Sequence, residues 1–129
     1  MKTILVDAIN GLILEDGTIF REMYDLLESY PNKKIILTGA NDEQFKKFKL
    51  DQAPYDVFTL KHNPEKTNPE YYKILLNKYS LDANNVVYFE HSKDAVESAR
   101  SIGVITYFYN HLDADLVKLK EFLDRNLNN

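Results

Sequence analysis

Residues 4–13, ILVDAINGLI, decide how the rest of the chain is read. Ile4, Leu5 and Val6 form an apolar run of strand length that ends in a single carboxylate, Asp7. Ala8, Ile9, Asn10 and Gly11 follow before the chain turns apolar again. Taking a carboxylate out of water costs several kcal/mol unless partners compensate it. An acid at the exit of a buried strand therefore needs partners from distant parts of the chain, and the fold has to bring them.

Similar apolar runs recur at 34–38 (KIILT), 56–60 (DVFTL), 86–89 (VVYF) and 104–108 (VITYF). Together with residues 3–6 they make about five strands. Most are apolar on both faces instead of alternating, as in parallel strands covered on both sides. Between them the apolar period becomes helical. Ile19, Met23, Leu26, Leu27 and Tyr30 share one stripe of a helix over 19–30, and Tyr72, Leu75, Leu76 and Tyr79 share one stripe of another. Asn68 and Pro69 are a cap and a first-turn proline for that second helix. Ala95, Ala99 and Ile102 mark a third helix stopped by Gly103. Leu112, Leu116, Leu119 and Leu123 mark a C-terminal one, and a weaker helix covers 42–49. The alternation predicts an α/β fold, a doubly wound parallel sheet, with the polar tail from Asp124 fraying. Apolar residues running to an Asp16–Gly17 turn predict a small β-hairpin flap after the first strand.

Composition narrows the class. The 129 residues suit a single domain, 1–129, around one core. Sixteen basic against twenty acidic residues give a net charge of −4, with no basic run of the kind that tracks nucleic acid. The chain has no cysteine, which removes disulfides, thiolate catalysis and cysteine zinc sites. Its apolar runs are too short for a signal peptide or a membrane span, so a cytoplasmic protein is expected.

In open α/β sheets ligands bind beyond the carboxyl ends of the strands. Strand one ends there in Asp7, strand two in Thr38-Gly39, and strand four in Glu90, followed by His91, Ser92, Lys93 and Asp94. Lys66 lies between strand three and its helix. Carboxylates that approach one another call for a hard cation such as Mg²⁺. Such a cation, a lysine and a hydroxyl suit a phosphoryl group, which a carboxylate can attack to form an acyl phosphate. His62, His91 and His111 are not at metal-ligand spacings, although His91 sits in the loop as a substitute acid or base. Tyr71 and Tyr72 read as helix packing.

These residues carry a resemblance. Asp7, Thr38-Gly39, Lys66 before a proline-started helix, and VVYFEHSKDAVESARSIGV at 86–104 resemble, in order, the motifs of the haloacid dehalogenase-like (HAD) superfamily, mostly phosphohydrolases. The match runs over nearly the whole chain. The resemblance implies Asp7 as nucleophile, Thr38 and Gly39 around the phosphoryl oxygens, and Lys66 as the neutralising cation. It implies Mg²⁺ held by Asp7, the backbone carbonyl of Ile9, Glu90 and Asp94. The phosphatases of that superfamily place an acid/base aspartate two residues after the nucleophile, and here that residue is Ile9. About thirty residues separate Asp7 from Thr38 and about twenty-seven separate Thr38 from Lys66, so no cap domain fits at either place. An uncapped site favours a large phosphorylated substrate. The expectation is a slow or atypical Mg²⁺-dependent phosphohydrolase. The alternative is a catalytically inactive HAD-like binding or regulatory module, favoured by Ile9, Asn10 and Gly11. A phosphoacceptor receiver domain would need an acidic pair after strand one and an acceptor aspartate after strand three, and this chain has neither.

Overall fold

The computed structural model describes residues 1–127. Five strands, β1 (Thr3–Asp7), β2 (Lys34–Thr38), β3 (Asp56–Thr59), β4 (Val86–Glu90) and β5 (Ile105–Phe108), form one sheet in the order β3-β2-β1-β4-β5. Every pairing is parallel. The helices are α1 (Arg21–Glu28), α2 (Asp42–Lys47), α3 (Pro69–Lys78), α4 (Lys93–Ser101) and α5 (Leu116–Leu127). The doubly wound α/β sheet expected from the apolar runs is the one observed.

Side chains alternate across a strand, so each central strand feeds two cores. Ile4, Val6, Ile36, Val87 and Phe89 pack on one face with Met23 and Leu27 of α1 and Leu119 and Leu123 of α5. Leu5, Ile35, Leu37, Val86 and Tyr88 pack on the other with Tyr71, Tyr72, Leu75 and Leu76 of α3 and Ala99 of α4. Continuing the alternation, Asp7 follows Leu5 and Glu90 follows Tyr88, so both carboxylates face the α3/α4 layer. Thr38 follows Ile36 and faces the opposite layer. The strand order reverses between β1 and β4, the switch point where such sheets bind ligands. Asp7 and Glu90 stand at the carboxyl ends of those two strands.

The segment after β1 is the small hairpin flap expected at the Asp16–Gly17 turn. Gly17 takes φ 88°, Thr18 N–H reaches Asp16 Oδ1 at 3.0 Å, and the arms meet at one antiparallel bridge, Ile13–Ile19. Leu14 N–H donates to Thr18 O and Phe20 N–H to Leu12 O, both at 2.8 Å. One local expectation needs correction. The tail does not fray at Asp124, since α5 runs on to Leu127. Leu123 is buried there, while Asp124 pairs with Lys120 at 2.7 Å and accepts from Tyr30 Oη at 2.6 Å. Residues 128–129 lie outside the described residues. Among the described residues no helix is long and apolar enough to cross a membrane.

Candidate active site

Three loops at the carboxyl edge build the site. The first holds Asp7 and is shaped by Gly11, where a Cβ would lie 2.3 Å from the Asp7 carbonyl oxygen. Only glycine lets the chain fold back this closely on the strand end. The second runs from β3 to α3 and carries Lys66. Asn68 caps α3, accepting from Glu70 N–H, and Pro69 starts it. Tyr72 Oη donates to the Lys66 carbonyl at 2.8 Å, which ties the lysine backbone to the helix. The third is Glu90-His91-Ser92, where Ser92 Oγ caps α4 by accepting from Ala95 N–H. The reading of Tyr71 and Tyr72 as packing residues holds, and Tyr71 Oη also braces the site by donating to Thr38 O at 2.7 Å.

At the centre Asp7 and Glu90 are both fully buried, sharing one lysine. Lys66 Nζ lies 3.0 Å from Asp7 Oδ1, 2.7 Å from Glu90 Oε1 and 3.2 Å from Leu37 O. The remaining Asp7 oxygen, Oδ2, accepts from His91 N–H at 2.9 Å and from His91 Nδ1 at 2.5 Å. Glu90 Oε2 accepts from Ser92 N–H at 3.0 Å and lies 3.2 Å from His91 Nδ1. Tyr88 Oη donates to Glu90 Oε1 from two residues back on the same strand face.

These contacts set the electrostatics. Burial is the strongest single influence on Glu90 and opposes its charge, but Lys66 and the hydrogen bonds from His91, Lys66 and Tyr88 together outweigh it, and the carboxyl is held well below its usual range. For Asp7, burial and then the Glu90 charge push the carboxyl up, against the pull of Lys66 and His91. The hydrogen bonds to Asp7 and then to Glu90 raise the His91 imidazole to about 10. Lys66 is raised well above a free lysine, because Asp7 and Glu90 together overcome the desolvation that would lower it.

Asp94 does not join this group. Once α4 begins at Lys93, the helical period decides its direction. Ala95, Val96 and Ala99 take the inner face, while Asp94 is exposed and lines an outer cleft with Thr67, Pro69, Glu97, Ser98 and Ser101. His91, considered from the sequence only as a substitute acid or base, instead stands against Asp7 and Glu90. Its ring packs edge-on against His111, with centroids 5.0 Å apart.

Two adjoining open cavities lie above the cluster. One, about 210 Å³, is bordered by Gly39, His62, Lys66, Glu90, His91 and Ser92. The other, about 250 Å³, is bordered by Ile9, Thr38, Gly39, Gln44, Phe48 and His62. Gly39 and His62 border both. Thr38 is buried, and its Oγ1 accepts from Ala40 N–H at 3.2 Å. Ile9 packs against the core and also lines the second cavity. Among the described residues no inserted domain covers either cavity.

No protein-family model matches the sequence, and no curated protein matches it. Solved structures do match. A HAD family enzyme from Bacteroides thetaiotaomicron, an aspartate-to-alanine mutant in complex with magnesium and inorganic phosphate, superposes with a TM-score of 0.68 at 14% identity. The match covers 84% of this chain and 93% of that one. The fold is HAD-like. A HAD-superfamily hydrolase from Geobacter sulfurreducens PCA superposes with a TM-score of 0.59 at 12% identity, over 93% of this chain and 96% of that one. An uncharacterized protein from Corynebacterium glutamicum gives 0.68 at 17% identity, over 95% and 94%.

The Mg²⁺ that this fold implies can be tested against the donors present. Magnesium keeps several waters in its near-octahedral shell and binds through the free oxygens of one or two carboxylates. Here each oxygen of Asp7 and Glu90 already accepts from a protein donor, and among the described residues no buried side-chain N or O is left without a partner. Asp94 is turned away, and the third group within reach is an imidazole nitrogen. The donor set does not fit Mg²⁺.

Proposed function

We propose that this chain is a HAD-like phosphoryl-transfer domain that works slowly through Asp7, on a phosphorylated ligand admitted at the open edge of the sheet. The observation that carries the reading is the Asp7–Lys66 pair, with a carboxylate at the end of a central strand and an ammonium 3.0 Å from Oδ1. Thr38 and Gly39 border the neighbouring cavity, which supports a role for them in receiving phosphoryl oxygens. The uncovered cavities suit a large phosphorylated partner as well as a small one.

On this reading the His91 ring, 26% exposed at the mouth of the site, rotates away when the ligand binds, leaving Oδ2 with the His91 backbone N–H and a lone pair for attack. Oδ2 then attacks phosphorus, the bond from phosphorus to the leaving oxygen breaks, and the electron pair departs with the leaving group. Lys66 offsets the charge of the transferring group. Ile9 offers no proton, so leaving groups that depart as stable anions are favoured, acyl phosphates above alkyl phosphates. The resulting acyl phosphate on Asp7 waits for water without a neighbouring base, so it accumulates. The Mg²⁺-dependent route implied by the resemblance would use Asp7, the Ile9 carbonyl, Glu90 and Asp94, and the donor geometry argues against it.

A second reading, a catalytically inactive binding module, is favoured by the complete burial of Asp7 and by Ile9. One experiment separates the two. The protein is incubated with acetyl phosphate and analysed intact by mass spectrometry. The proposal expects one phosphoryl group per chain, absent in Asp7→Asn. Phosphate binding without any adduct, unchanged in Asp7→Asn, would establish the silent module instead.

A further inference from the structure

We infer that the His91 side chain stands in the place of a divalent cation at this switch point, and that the site is built to work without a metal. Three geometrical observations carry the inference. First, Nδ1 of His91 lies 2.5 Å from Asp7 Oδ2 and 3.2 Å from Glu90 Oε2, so a single atom bridges the two strand-end carboxylates, which is the task of a bridging cation. Second, Nδ1 must carry its hydrogen to donate to Asp7. This holds for a neutral or a charged ring, so its lone pair is not offered to a metal in either state. Third, at rest the ring is held in this place by more than one contact. The backbone N–H of His91 reaches the same Asp7 oxygen at 2.9 Å, and His111 packs against the ring edge.

The surrounding chain agrees with the inference. Glu90 spends its two oxygens on Lys66, Tyr88 and the Ser92 N–H. Position 9 brings an aliphatic side chain, and Asp94 lies exposed on the outer face of α4. To seat a metal ion, the ring would have to leave, and two buried oxygens would have to give up their N–H donors. Lys66 and His91 are the two groups that bridge both carboxylates. The inference is independent of whether Asp7 becomes phosphorylated, because it concerns what neutralises the cluster at rest.

Metal binding tests it directly. Wild-type protein, His91→Asp and His91→Gln are titrated with Mg²⁺ and with Mn²⁺ by calorimetry, and their melting temperatures are compared with and without each ion. The wild type should bind neither ion at millimolar concentration and should melt unchanged. His91→Asp replaces the bridging nitrogen by carboxylate oxygens. It should gain one site per chain and a metal-dependent rise in melting temperature. His91→Gln should stay blind to metal, which shows that loss of the ring alone is not enough. A one-to-one site in the wild type, lost in Asp7→Asn, would overturn the inference even if His91→Asp failed to fold. A folded His91→Asp that binds no metal would overturn it as well. The phosphoryl label on Asp7 is read separately, so failure of one proposal leaves the other standing.

Discussion

Lys66→Met removes the one ammonium shared by two buried carboxylates while keeping the aliphatic bulk of the side chain. The lysine side chain is only 16% exposed, and Asp7 and Glu90 are 1% and 0%. Breaking a buried ion pair on one side typically costs about 3–5 kcal/mol, because a charge is left desolvated and unpaired. Lys66 serves two carboxylates, yet one of them can escape by taking up a proton, so the net loss at neutral pH should be about 4 kcal/mol. With a urea dependence of about 2 kcal/mol/M, the midpoint of unfolding falls by about 2 M. Lys73→Met is the control, since its partner Glu70 lies 3.3 Å away with both side chains more than half exposed, and it should leave the midpoint nearly unchanged. The sign with pH follows from the carboxylates. In the wild type Glu90 titrates below its unfolded value, so its contribution is present above the ordinary carboxylate range and is lost in acid. In Lys66→Met the two buried carboxyls keep only His91 as a cationic partner, so one of them takes up a proton more readily and the variant gains stability relative to the wild type as pH falls. The two proteins should therefore converge on acidification, and adding Glu90→Gln to Lys66→Met should recover part of the loss. A destabilisation below about 1 kcal/mol, the same at every pH, would refute the reasoning, because a surface pair behaves that way.

Other perturbations address single features. Gly11→Ala places a Cβ 2.3 Å from the Asp7 carbonyl oxygen, so the strand end must shift; a loss of about 1–3 kcal/mol in urea unfolding is expected, together with loss of the acetyl phosphate label. Ile9→Asp puts a carboxylate beside the cavity lined by Thr38 and Gly39, and p-nitrophenyl phosphate turnover should rise by roughly 10² or more if Asp7 acts as nucleophile. Unchanged turnover in a folded variant would count against that role. The imidazole of His91 is raised to about 10, and its unfolded value is about 6.5. Its contribution to stability is therefore complete below about pH 6.5 and is lost as pH climbs toward 10, so His91→Gln should flatten the alkaline limb of the stability curve. Parallel curves for the two proteins would show that the pairing with Asp7 is weak.

Much of the fold was legible because parallel strands buried on both faces leave continuous apolar runs, and KIILT and VVYF stay apolar whichever face is considered. The helix over Pro69–Lys78 was equally clear, since Asn68 and Pro69 mark its start by chemistry that needs no tertiary context. The flap was legible for the same reason, since an Asp-Gly turn between apolar residues closes a short hairpin by local chemistry, and Leu14 N–H pairs with Thr18 O across it. Asp94 was misplaced because spacing in sequence was read as proximity in space, whereas the helix starting at Lys93 turns that side chain outward.

The sequence by itself determined the parallel sheet, the strand ends that carry Asp7, Thr38 and Glu90, and the absence of an acid at position 9. These follow from periodicity and residue identity, which are local. Only the tertiary structure decided that Lys66 sits between Asp7 and Glu90, that Tyr88 stands on the same strand face as Glu90, and that His91 closes the cluster. Those contacts join residues 59 and 84 positions apart from Asp7, and they depend on the strand order that puts β4 beside β1. Alternation along β1 and β4 then turns both carboxylates into the same layer. The buried charge that ILVDAINGLI left unexplained is thus balanced by groups from two other loops: Lys66, which the resemblance already set against Asp7, and His91, whose place beside both carboxylates only the packed structure decides.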